Sequence, residues 1–219
     1  MMLVFDIGAN VGGVTDYFVA GGHKVVAVEP LKYLSDQIEE RYRKTPDNVS
    51  VVNAAVHPGP GPIDFFLAEG FDVVSTLSTD WMTKSRFGSD QKWETVLKVE
   101  CVGIDLLIEK YGDPNLIKVD VEGAEYEALL THNKKIDTII AFEWVEELIE
   151  NTKKCIDHLK KLGYTKYRNS CNHIVMEDFS TANARIFEDD LYRPIEEFND
   201  NIGSCFTGGK AAWGDVYVK

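Results

Sequence analysis

One turn constrains this chain more than any other feature: Asp6-Ile7-Gly8-Ala9-Asn10-Val11-Gly12-Gly13. It follows a short apolar run, Met2 to Phe5, and precedes the periodic apolar residues Val14, Tyr17 and Phe18. That order reads as strand, tight glycine turn and helix. The next apolar run, Val25 to Val28, ends in Glu29-Pro30. Glycines let a ligand approach the backbone, and an acid after the second strand can hold both hydroxyls of a ribose. Together they describe a nucleoside site on a parallel α/β sheet.

The register of the turn narrows the nucleoside. A dinucleotide fingerprint is G-x-G-x-x-G, with a helix N-terminus aimed at pyrophosphate. Here the same register holds Gly8, Asn10, Gly12 and Gly13, so the middle glycine is missing. Asp6 stands two residues before the first glycine, where it would repel a pyrophosphate and suit a cation. S-adenosylmethionine carries a sulfonium and an ammonium group and no phosphate. The pattern D-x-G-x-N-x-G resembles the first motif of class I methyltransferases. The plainer reading, a strand–turn–helix with no ligand, is weakened by Glu29.

A second stretch runs Leu116-Ile117-Lys118-Val119-Asp120-Val121-Glu122-Gly123-Ala124-Glu125-Tyr126-Glu127-Ala128-Leu129-Leu130. With the DIGANVG turn upstream, the chain resembles the FkbM-type methyltransferases, whose hallmark is IKxDxEGAExxxL after DIGANxG. Val102 to Leu107 looks like that family's lead into a short helix. The resemblance runs from Leu3 to Trp144, roughly two-thirds of the chain. It implies a Rossmann-like class I methyltransferase fold: a central, mostly parallel seven-stranded sheet, helices on both faces and an antiparallel C-terminal strand. It also implies O-methyl transfer from S-adenosyl-L-methionine, leaving S-adenosyl-L-homocysteine. Acceptors in the family are often sugars or natural products.

At 219 residues the chain suits one α/β unit, taken as a single domain over 1–219. Its net charge of −13 argues against a nucleic-acid partner. Acids cluster at Glu143, Glu146, Glu147 and Glu150, and again at Glu188 to Asp190, Glu196 and Glu197, which reads as solvated faces. No apolar stretch approaches the ~20 residues of a membrane span, and no signal peptide is evident. Cys101, Cys155, Cys171 and Cys205 lack C-x-x-C spacing, so reduced thiols in a cytoplasmic protein are expected. Cys171 and His173 are too few to hold a metal by themselves.

Further strands are expected at Val49–Val56, Leu116–Val121 and Thr138–Trp144, and late ones at Ile174–Met176 and Asp215–Val218. Helices are expected on the Leu31, Leu34, Ile38, Tyr42 stripe and from Leu148 to Leu162, ended by Gly163. Residues 57–98 and 164–213 stand outside this alternation. Their aromatics, including Phe65, Phe71, Trp81 and Trp93, either wall an acceptor pocket or fill local cores.

Roles follow from the fold that the resemblance implies. Gly8, Ala9, Asn10 and Gly12 surround the methionine portion, the first three through backbone groups. Asp6 orients its ammonium directly or through water. Glu29, followed by Pro30, binds ribose. Asn53 and Ala54 lie at the adenine. Asp120 sits where cofactor and acceptor meet. The proton of a hydroxyl acceptor needs a base, and Asp120, Glu122 and Glu143 are the candidates, with Glu125 behind them. Close carboxylates raise one another's pKa, which favours this use. Glu122 and Glu125, three apart, would share a helix face, and Glu122 also reads as an N-terminal helix acid. His132 reads as a surface residue. Ser75-Thr76-Leu77 could present hydroxyls to acceptor or cofactor, and Asp105 reads as a helix N-cap. Asp120 and Glu143 could hold magnesium, but no third side-chain ligand is obvious, because Trp144 follows Glu143. Transfer without a metal is therefore the expectation, to a small-molecule or glycan acceptor, with no membrane partner. The rivals are an NAD-binding oxidoreductase, which the glycine register opposes, and a binding module without catalysis, which the three carboxylates oppose.

Overall fold

Short β-branched runs alternate with amphipathic stretches, and the computed structural model, which describes residues 1–88, 90–170, 191–198 and 212–219, lays them out accordingly. The chain starts with β1 (Leu3–Ile7), α1 (Gly13–Ala20), β2 (Lys24–Val28), α2 (Lys32–Tyr42) and β3 (Val49–Val52). Then come β4 (Ala55–Val56), β5 (Ile63–Leu67), α3 (Thr79–Lys84), β6 (Thr95–Val99) and β7 (Cys101–Val102). The remainder is α4 (Ile104–Tyr111), β8 (Leu116–Val119), α5 (Glu125–Leu129), β9 (Ile139–Val145), α6 (Ile149–Leu162), β10 (Lys166–Asn169), β11 (Arg193–Pro194) and β12 (Trp213–Val218).

The main sheet has the order β11-β10-β12-β9-β8-β1-β2-β3. Strands β3, β2, β1, β8 and β9 are parallel, whereas β12 runs antiparallel to β9 and to β10. Among the described residues the sheet has eight strands, six of them at expected places, with β10 and the two-residue β11 added at one edge. The chain winds outward from β1 in one direction and from β8 in the other. Their carboxyl ends therefore open a crevice, the place where such sheets bind ligands. Gly8 follows β1 directly, and Asp120 follows β8.

Alternation along β1 divides the core. Phe5 and Ile7 pack with Ile117, Val119, Leu129 and Ile140 on one side of the sheet, and Val4 packs with Phe18, Val25 and Leu116 on the other. Truncating a fully buried phenylalanine such as Phe5 to alanine destabilises by about 3–5 kcal/mol. Helix α6 buries Cys155, Ile156 and Leu159 on its stripe and ends at Gly163, whose φ of 99° is left-handed.

Four expectations need correction. The run 49–56 is not one strand. It breaks at Asn53, whose side-chain amide donates to the carbonyls of Glu29 and Pro30 at 2.9 Å each, and β4 then pairs with β7 outside the main sheet. The strand from Leu116 stops at Val119, because the chain turns at Asp120. Gly103, not Asp105, caps α4, and the Asp105 carboxylate instead accepts from the Asn133 amide nitrogens. His132 is buried, with Nε2 2.9 Å from the Tyr164 hydroxyl. Within 57–98, β5 and β6 pair antiparallel, and Phe65 and Trp81 sit in local cores. Strands β10 and β11 lie within 164–213. Cys171, His173, Ile174–Met176, Glu188 to Asp190 and Cys205 lie outside the described residues.

Candidate active site

The glycine turn is dictated by backbone geometry. Gly8, Asn10 and Gly12 have φ of 76°, 51° and 84°. At Gly8 a side-chain carbon would collide with the Asp120 carbonyl, so only glycine lets β1 and β8 end this close together. At Gly12 it would press on Ile38 and Arg41 of α2. The amide nitrogens of this turn point inward. Gly8 and Ala9 both donate to the Val28 carbonyl, at 3.0 and 3.1 Å, and Asn10 donates to the Glu29 carboxylate at 2.8 Å. The backbone donors expected to meet a ligand are thus already engaged. Ala9 is buried against Ala27, Ile38 and Val49.

Glu29 follows β2 and is fixed at both oxygens, by the amides of Asn10 and Leu31 at 2.8 Å each. Burial raises its pKa to about 7, and those two backbone bonds pull the other way without cancelling it.

A cavity of about 640 Å³, partly open to solvent, runs along the ends of the strands. Gly8, Asn10, Asp120, Val121 and Glu122 line it, as do Glu29, Pro30, Leu31, Ala54, Val56 and Phe65. Of the residues singled out in the sequence, Gly8, Asn10, Glu29, Pro30, Ala54, Asp120 and Glu122 meet there. Asp6, Ala9, Gly12, Asn53 and Glu143 are not in its lining. Gly12 starts α1, and Asn53 holds the Glu29-Pro30 backbone from behind. A larger cavity of about 1,030 Å³ adjoins at Leu77 and passes behind Gly123.

Asp6 lies behind the wall. Its side chain is 0% exposed, accepts from the Thr15 hydroxyl at 2.6 Å and pairs with Lys118 at 3.5 Å. It therefore does not reach an ammonium group directly. Lys118 is the residue that sequence reasoning missed. It is buried on β8, donates to the Gly8 carbonyl at 3.0 Å and lies 3.4 Å from the Asp120 carboxylate. Burial works against its charge, but Asp120 and Asp6 outweigh that and hold its pKa above the ordinary value. The available signal was a lysine inside an otherwise apolar four-residue strand.

Beyond Asp120 the carboxylates converge. Asp120, Glu122 and Glu143 each offer an oxygen within 4.8 Å of the other two. Glu143 comes from β9. Glu122 adopts a left-handed φ of 55°, so it precedes α5 and shares no helix face with Glu125. The Thr76 hydroxyl, donating to the Glu122 carbonyl at 2.6 Å, buttresses this conformation. Burial first, and then the Asp120 charge, push the pKa of both Glu122 and Glu143 well above the usual carboxylate range. Glu125 has a different task. One of its oxygens accepts from the amides of Val121 and Gly123 at 3.1 Å each, closing the turn, and burial raises its pKa to about 7. Glu122 is the third oxygen donor that the sequence did not reveal beside Asp120 and Glu143. Hard cations such as magnesium accept such oxygens, and so does a proton arriving from a hydroxyl.

A family model described as the methyltransferase FkbM domain matches residues 6–166. No curated protein matches the chain. Among solved structures it is similar to the methyltransferase FkbM of Methylobacillus flagellatus KT, with 18% identity and a TM-score of 0.48, over 75% of this chain and 39% of that one. It is also similar to the precorrin-6y C5,15-methyltransferase of Geobacter metallireducens GS-15, with 12% identity and a TM-score of 0.47, over 100% of this chain and 78% of that one. A third is TYW2 of P. horikoshii in complex with MeSAdo, with 15% identity and a TM-score of 0.45, over 99% of this chain and 56% of that one.

Proposed function

This chain belongs to the FkbM methyltransferase family, and from that premise we propose that it moves the methyl group of S-adenosylmethionine to an oxygen of a sugar or small metabolite. The observation that carries this reading is one cavity joining Glu29 and the Gly8-Asn10 turn to Asp120 and Glu122. The nucleoside lies toward Glu29, Ala54, Val56 and Phe65, with the ribose hydroxyls donating to the Glu29 carboxylate. The sulfonium methyl lies toward Asp120, in the field of the acid group.

The acceptor oxygen attacks the methyl carbon in line. The new O–C bond forms as the C–S bond breaks, and its electron pair stays on sulfur, giving S-adenosylhomocysteine. The proton of the hydroxyl passes to the carboxylates of Asp120, Glu122 and Glu143. Burial and the Asp120 charge raise the pKa of Glu122 and Glu143, which makes their carboxylates stronger proton acceptors than an ordinary glutamate. Crowded negative charge also favours a cationic donor over the neutral product. The transfer needs no metal in this scheme, and magnesium on the three carboxylates is the alternative, read from whether EDTA abolishes turnover.

No described helix is long and apolar enough to cross a membrane. Cys101 and Cys155 are free thiols, in keeping with a cytoplasmic site of action. The acceptor is a small molecule or glycan and not a nucleic acid, in keeping with a net charge of −13.

The test is S-adenosylhomocysteine release over a panel of hydroxylated sugars and phenols, with amines as the contrast. Release that needs a hydroxyl acceptor and falls sharply in Glu143→Gln supports the proposal. Release with amines alone would contradict oxygen as the acceptor atom.

A further inference from the structure

Lys118 holds a position that methyl transfer itself does not demand. It is buried at 4% exposure beneath the site and reaches three groups on two segments, the end of β1 and the end of β8. These are the Gly8 carbonyl at 3.0 Å, Asp6 of β1 at 3.5 Å and Asp120 at 3.4 Å. Gly8 and Asp120 both line the cavity, whereas Asp6 does not. The ammonium group is therefore a bridge under the meeting point of two cavity walls. One wall is the glycine turn after β1, and the other is the turn after β8. Both turns already depend on backbone conformations that side chains rarely adopt, at Gly8 and at Glu122. A fixed cation bonded to each sets the gap between them. At the opposite end, Glu29 is anchored by the amides of Asn10 and Leu31, and Lys118 acts on it only through its charge, without a hydrogen bond or ion pair.

We propose that Lys118 is a positioning residue that sets the methionine half of the cofactor site through Gly8 and Asp120 and leaves the nucleoside half alone. This rests on the cofactor reading of the preceding section. A residue with a merely structural role would weaken every ligand of the cavity together. A positioning role at one end weakens only ligands that extend to that end. Two compounds separate these cases: S-adenosylhomocysteine, which has the amino-acid arm, and 5′-methylthioadenosine, which lacks it.

Removing Lys118 alone strands the Asp6 carboxylate, so the variant to use is Asp6→Asn with Lys118→Met. The amide still accepts from Thr15, and the buried charge pair leaves as a pair. Binding of both compounds is measured by calorimetry, against Asp6→Asn alone as the reference. The expected result is a loss of about tenfold or more for S-adenosylhomocysteine, with a much smaller loss for 5′-methylthioadenosine, which feels Lys118 only through its charge on Glu29. Equal loss of both compounds, or loss of neither, overturns the proposal. If the methionine variant does not fold, Lys118→Gln in the Asp6→Asn background keeps a donor for Gly8 without the charge, and it is read in the same way. Failure of the wild-type protein to bind either compound would sink the cofactor reading, and the role of Lys118 with it. Binding by the wild type with no selective loss sinks the Lys118 role alone.

Discussion

The two ends of the cavity handle buried acid in opposite ways. At the nucleoside end, Glu29 is buried, but each of its oxygens has a backbone amide at 2.8 Å. At the other end, Asp120, Glu122 and Glu143 bring three carboxylates within 4.8 Å, and Lys118, which lies against Asp120, is shared with Asp6. The first arrangement is a finished wall that fixes a shape. The second is a concentration of charge that a cationic ligand or a proton would relieve. Burial raises the pKa at both ends, so burial alone does not separate a binding acid from a catalytic one. What separates them is whether the backbone has already answered the charge.

Substitutions can break this contrast in order of effect. Gly8→Val is expected to be the most damaging, because it joins a left-handed φ to a collision with the Asp120 carbonyl. A loss of about 4 kcal/mol or more in urea unfolding is the expected size. Unfolding at the wild-type midpoint would show that the two turns are not locked together.

Lys118→Met alone should follow closely. It leaves Asp6 buried and uncompensated, which typically destabilises by about 3–5 kcal/mol. Adding Asp6→Asn should recover much of that stability in the same unfolding experiment. No recovery would mean that Lys118 stabilises by something other than charge.

Glu29→Gln should leave the fold intact and weaken S-adenosylmethionine by about 1.5–3 kcal/mol, the worth of charged hydrogen bonds. Its pH dependence has a definite sign. The folded protein holds the Glu29 proton until pH passes about 7, above the ordinary 4.5. The stability this proton confers is therefore full at low pH and is lost as pH rises through that window. Cofactor affinity runs the other way, since ribose needs the ionised acceptor, and should climb as pH rises toward about 7 and then level. Calorimetry across this range should give a slope in the wild type and a flat line in Glu29→Gln.

Glu143→Gln should produce the smallest change in stability, and of the opposite sign. Burial and the Asp120 charge oppose ionisation of Glu143, so an amide that carries no such penalty should raise stability at neutral pH by about 1 kcal/mol, while turnover falls. A destabilised Glu143→Gln with full turnover would make Glu143 structural and remove the contrast between the two ends.

The Glu29 end was largely legible in the sequence, because its determinants are local. A glycine turn after an apolar run, and an acid after the next one, are fixed by backbone geometry within a few residues. The parallel sheet followed from the alternation of strands and helices. The acid end was legible only as residue types. Nothing local announces that Glu122 takes a left-handed conformation, since Thr76, far off in sequence, holds it there. Nor does the sequence show that Lys118 neutralises Asp6, a pairing that exists only once β1 and β8 lie side by side. The same cause leaves Asp6 facing Lys118 and Thr15 behind the cavity wall. Asn53 broke an expected strand because its amide serves the Glu29-Pro30 backbone instead.

The central claim is that the cavity is built for S-adenosylmethionine, and calorimetric titration tests it most directly. S-adenosylmethionine and S-adenosylhomocysteine are each titrated into the wild-type protein and into Glu29→Gln, with NAD as the control. The account predicts micromolar binding of both to the wild type, weakened in the variant, and no heat from NAD. Binding of NAD, or S-adenosylmethionine affinity indifferent to Glu29, would contradict it.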